Sequence, residues 1–200
     1  NHTANNLHLD GDRLIVAGDS HGYSNPKGKV WVFERVGDGP YEFVAHWRRP
    51  DYTASSDRFG SDGFDVLGDR IAVSDTLGGT DNVNGNPSGE VFIYDRNGDS
   101  GEWELTATLW SGDPQFPSWS GIGGYFGQSV ALEEDRVLVG ALREKTHHLE
   151  SGSAWMFRYD QDLEAWSAPN RLIPSNAVSG SRVGMSVALI DEDAFVSVLP

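Results

Sequence analysis

The sequence predicts an all-β protein built from repeated small antiparallel sheets, and three observations predict it. A pattern of apolar strand, acidic turn and second apolar strand recurs, with the turn closed at Asp12, Asp69, Asp135 and Asp193, about 60 residues apart. Twenty-four glycines, nine prolines, seven tryptophans, six tyrosines and nine phenylalanines favour many short strands joined by tight turns. No window carries a sustained helical apolar period, so helices are not expected.

Composition narrows the partners. The 200 residues include 30 acidic and 15 basic side chains, a formal net charge of −15. That balance argues against nucleic acid or an anionic membrane surface, since both are held by clustered Lys and Arg. No apolar run approaches the length of a spanning helix, so membrane insertion is not expected. The absence of cysteine excludes disulfides and thiolate metal sites. The chain opens without a signal peptide, and the expectation is a mature form or a fragment. One glycosylation sequon, Asn1-His2-Thr3, is weighed as a sign of secretion, while Asn86-Pro87-Ser88 is blocked by its proline.

The first unit spans residues 1–57. Leu7–Leu9 is its first strand, Asp10-Gly11-Asp12 a hairpin turn, and Arg13–Ala17 the returning strand. A polar loop at 18–27 leads through Gly28 to the strand Lys29–Phe33, and Tyr41–Trp47 is the fourth. The second unit, 58–124, repeats this with the corner Phe59-Gly60 and strands at 64–67, 70–74, 90–94 and 103–109. Its loop is 76–88, and an aromatic segment at 110–125 follows it. The third, 125–181, has Phe126-Gly127, strands at 129–132, 136–141 and 153–159, and a loop at 142–151. Its fourth strand is expected over Trp166–Leu172, where Pro169 suits an outer edge. Residues 182–200 supply the first half of a fourth unit, with strands at 186–193 and 194–199.

Connections this short force antiparallel pairing. The first two strands of each unit are apolar with little alternation, as expected when sheets cover both faces. Small sheets buried face to face around an axis describe β-propeller blades. The expected architecture is about three and a half four-stranded blades, part of a seven-bladed ring. An open arc would leave apolar faces at both ends and an apolar edge at 194–199. Other propeller segments, of the same or neighbouring chains, are therefore the expected partners.

The repeated residues resemble the FG-GAP repeats of integrin-α-like β-propellers. The third unit carries Phe126-Gly127, Ser129-Val130-Ala131 and Val139-Gly140-Ala141. The second carries Phe59-Gly60 and Gly89-Glu90-Val91-Phe92-Ile93-Tyr94, and the first Gly28-Lys29-Val30-Trp31-Val32-Phe33. The fourth carries Val183-Gly184 and Ser186-Val187-Ala188. The resemblance implies extracellular interaction roles. It departs in one respect: a two- or three-residue turn cannot wrap the six to eight oxygens that calcium takes, so the resemblance is to a calcium-less form.

Local candidates are few. Trp110, Phe116, Trp119 and Tyr125 could stack on sugar rings or anchor a protein, or simply cap the gap between blades. Asp95, Asn97 and Asp99 form a partial calcium pattern that turn chemistry also explains, so no cofactor is expected. His147-His148 reads as a solvated loop. With no cysteine nucleophile, nucleophile elbow or zincin helix, the chain is read as non-enzymatic. The expectation is an extracellular or cell-surface module for adhesion or structural assembly. Its alternatives are a carbohydrate-binding propeller and an accessory domain of a larger secreted enzyme.

Overall fold

The computed structural model describes residues 2–20, 28–50, 58–79, 88–111, 124–145 and 150–199. Among them there is no helix, and the strands form four antiparallel sheets in chain order. Sheet I holds β1 (His2–Asp10), β2 (Arg13–Ser20), β3 (Gly28–Glu34) and β4 (Glu42–Trp47). Sheet II holds β5 (Phe64–Leu67), β6 (Arg70–Asp75), β7 (Glu90–Arg96) and β8 (Trp103–Leu109). Sheet III holds β9 (Phe126–Leu132), β10 (Arg136–Ala141) and β11 (Ser153–Asp160), then β12 (Ala165–Trp166) and β13 (Asn170–Leu172). Sheet IV is the hairpin of β14 (Val187–Ile190) and β15 (Asp193–Val196).

The sheets stack face to face, and alternate side chains of one strand enter different cores. On β6, Ile71 and Val73 pack toward sheet I while Ala72 packs toward sheet III. On β7, Phe92 and Tyr94 face sheet I, and Val91 and Ile93 face sheet III. On β10, Val137 and Val139 face sheet II, whereas Leu138 faces sheet IV. Burial on both faces is why the inner strands read as unbroken apolar runs. Sheets I and II are four-stranded, and sheet III is a four-strand-wide sheet whose outer strand is divided in two, as in propeller blades.

A glycine contact sets each step from sheet to sheet. A β-carbon at Gly28 would lie 1.8 Å from the carbonyl oxygen of Phe59. At Gly89 it would lie 2.1 Å from that of Phe126, and at Gly152 2.3 Å from that of Val183. So the glycine before each third strand is where the next sheet's corner rests its backbone. Gly152 and Val183 even form a parallel bridge. The ring of Phe59 is fully buried between sheets I and II.

Four expectations need correction. First, β1 starts at His2 and β2 runs to Ser20, so the loop placed at 18–27 begins later. Second, the strand expected over 166–172 is split into β12 and β13, because Pro169 cannot donate to the ladder. Third, β15 ends at Val196, and the chain runs on against the segment that precedes β14. Ser197 donates to Ser186 at 2.9 Å and Leu199 to Ser181 at 2.7 Å, so 194–199 is not one free strand. Fourth, Ile190 pairs with Asp193 as Asp10 pairs with Arg13 and Leu67 with Arg70. Asp193 therefore stands where the earlier units have arginine, and the closing turn residue of the fourth unit is Glu192.

Replacing Gly89 by alanine forces a β-carbon onto Phe126 backbone at a φ of 94°. Urea unfolding of Gly89→Ala is expected to show a loss of about 3 kcal/mol or more. Gly98→Ala, with nothing within 4 Å of the added carbon, should lie within about 0.5 kcal/mol of the parent.

Candidate functional site

At the turn end of the stack, each sheet is tied to the next by an arginine. Arg13, first residue of β2, donates to the Gly68 carbonyl at 2.6 Å and pairs with Asp69 at 2.9 Å. Arg70, first residue of β6, donates to the Glu134 carbonyl at 2.8 Å. Arg136, first residue of β10, donates to the Asp191 carbonyl. The acceptor is each time the first residue of the neighbouring sheet's two-residue turn. Arg13 also lies over the Trp103 ring at 5.1 Å, and Arg70 over Trp166 at 5.3 Å and Tyr159 at 5.2 Å. An acid on the same sheet steadies the guanidinium: Glu34 for Arg13 at 3.1 Å and Asp95 for Arg70 at 2.6 Å.

The opposite end has a buried ion cluster between sheets I and II. Arg49, just past β4, reaches Asp75 at 3.3 Å and Glu90 at 2.8 Å, both in sheet II. Sheet III has its own version, in which buried Glu144 accepts from Ser153 and from the Trp155 indole and pairs with Arg171 at 3.2 Å. Breaking such a pair strands a charge in low dielectric, so these groups act as structural ties.

The candidate residues fall in different places. Trp110 is exposed and lines a cleft between the outer strands of sheets II and III. Tyr125 does not line that cleft; its backbone has a φ of 56° and its ring lies 4.9 Å from the Arg143 guanidinium carbon. Phe116, Trp119, His147, His148 and Asn1 lie outside the described residues. Two of the three side chains weighed for calcium are already engaged within the sheet. Asp95 is committed to Arg70 and to the Thr106 hydroxyl at 2.5 Å, while Asn97 accepts from the Asp99 and Ser100 amides. Asn97 is thus the cap of a hairpin turn.

Sequence reasoning missed the arginine ties, although an Asp-Arg pair stands in three of the four repeats. It also missed Asp65, which spans two sheets. Its carboxylate accepts from Leu132 of sheet III at 2.8 Å and from Val66 at 2.9 Å. Burial pushes its pKa up, and the two amides and nearby His8 offset part of that rise.

All-β architecture and face-to-face four-stranded sheets define the class, an array of propeller-like blades. Residues 121–157 match the family model of the FG-GAP repeat, which spans β9, β10 and most of β11. Repeat and sheets together indicate a β-propeller-like protein-interaction module. A search of curated proteins finds no match to the chain.

The raised carboxyl of Asp65 has a pH consequence. The folded state holds this proton more tightly than the unfolded state, so its contribution is present at low pH. It is lost as pH climbs from the ordinary carboxylate range through the raised value. Asp65→Asn removes that slope. Across pH 3–7, unfolding measurements should show the variant's stability relative to the parent shifting in its favour as pH rises. A flat difference would contradict the assignment.

Proposed function

We propose that this chain is a section of a closed, seven-bladed β-propeller that serves as a non-enzymatic extracellular module for adhesion or structural assembly. The observation that carries this reading is the pair of apolar faces left open at the two ends of the stack. Strand register puts Leu7, Leu9, Leu14, Val16, Phe33 and Phe43 on the outer face of sheet I. Leu7 is 65% exposed and Phe43 55%. Leu14, Val16 and Phe33 occupy the places that Ile71, Val73 and Tyr94 hold in sheet II, where sheet I buries them. At the other end, Ala188 and Phe195 occupy the places of Ala131 and Leu138, which sheet IV buries.

Both ends therefore have the composition of an interface. Exposed apolar surface of this extent marks a site of association. Further repeats, in the same or a neighbouring chain, cover these faces and complete the ring. The acidic surface, at a net charge of −15, suits a protein facing salt-rich extracellular fluid and disfavours polyanionic partners.

Light scattering and electron microscopy test the proposal. The 200-residue chain should run as a species larger than one chain and appear as rings or filaments. Leu7→Glu combined with Phe43→Glu should shift it toward the monomer without loss of β-structure. A monodisperse parent monomer that melts with full cooperativity would overturn the reading.

A further inference from the structure

The interfaces between sheets I and II and between II and III follow one plan but differ at one decisive place. On β4, Trp47 pairs with Val30; its indole stacks on Tyr94 at 4.9 Å and meets Trp103 edge-on at 5.8 Å. Those three rings plug the outer part of the first interface. The equivalent residue on β8 is Leu109, paired with Val91. Facing it across the second interface are Phe157 and Trp166, the counterparts of Tyr94 and Trp103. A leucine where the plan has an indole leaves the outer part unfilled. The split of the outer strand into β12 and β13 widens it further.

The result is a cleft of about 430 Å³, within the range of small-molecule sites. Its floor is apolar, from Leu109, Phe157 and Trp166. At its mouth stand the exposed indole of Trp110 on one side and Glu164 and Ser167 on the other. An open indole face beside a carboxylate and a hydroxyl is a mixed surface, not a purely apolar one.

We propose that this cleft binds a neutral pyranose unit of a glycan. A sugar ring presents C–H faces and hydroxyl edges side by side. The indole of Trp110 takes the C–H face, while Glu164 accepts from a ring hydroxyl. Ser167, whose hydroxyl donates to the Ala168 carbonyl at 3.0 Å and accepts from the Arg158 amide at 3.1 Å, accepts from another with its remaining lone pair. Glu164 and the chain's net charge of −15 select against sialylated and uronic sugars. The site is independent of ring completion, since both of its walls lie within this chain.

The test is an array of neutral and acidic glycans probed with the labelled chain, followed by tryptophan-fluorescence titration of the retained glycans. Neutral glycans should be retained and acidic ones not. Trp110→Ala should weaken binding at least about tenfold. Leu109→Trp, which restores the plug seen at Trp47, should abolish it while the circular-dichroism melt stays intact. Should Leu109→Trp fail to fold, Trp110→Ala and Ser167→Ala decide, and weakened binding in both upholds the site. A wild-type chain that retains no neutral glycan overturns the proposal. So does binding in the folded variants within about twofold of wild type.

Discussion

The resting of one sheet's corner on the glycine of the sheet before it is the constraint on which the rest of the structure depends. Gly28, Gly89 and Gly152 have no room for a side chain, because the carbonyls of Phe59, Phe126 and Val183 occupy that space. The close approach brings adjacent sheets near enough for their apolar side chains to interdigitate. It also fixes where each corner residue goes, burying Phe59, Phe126 and Val183. A wider spacing would leave every interior face partly wet.

Apolar packing alone is non-directional and would let one sheet slide on another. The arginines at the start of β2, β6 and β10 supply the missing direction, since a guanidinium has a fixed fork of donors. Each reaches a single carbonyl in the neighbouring turn and stacks on or pairs with groups beside it. The first two ties also use an aromatic ring of the next sheet's outer strand, Trp103 or Trp166. The fourth unit breaks the series. Asp193 in the arginine's place cannot donate to a carbonyl, so sheet IV lacks the tie that the first three sheets carry.

Much of this was legible in the sequence, because repetition separates architecture from accident. The two inner strands stand in all four copies, the lead-in glycine in the first three (Gly28, Gly89, Gly152) and the corner in the last three (Phe59-Gly60, Phe126-Gly127, Val183-Gly184). The outer strands were harder to read. They bear solvent on one side, and in sheet III a single proline divides the strand. Asp193 was misleading for a different reason. Acidic residues crowd that turn, and only the pairing of Ile190 with Asp193 shows which of them closes it. Asp65 gave no sequence signal at all, because its partner Leu132 lies 67 residues away.

The cleft follows from the same logic in reverse. Positions that build an interface repeat in kind: an aliphatic run on the second strand, an aromatic on the third, and an aromatic near the start of the fourth (Tyr41, Trp103, Trp166). Trp47 and Leu109 occupy one such position and differ in volume by most of an indole, and the lost volume appears at the rim, not in the core. Inner-strand packing between sheets II and III remains complete, with Val91, Ile93, Val137 and Val139 fully buried. An interface can tolerate a void only where its rigidity does not depend on what fills it. The outer rim meets that condition, because the glycine contact and the arginine tie hold the sheets from the corner and the turn. Variation there changes what the molecule can bind without changing how it folds.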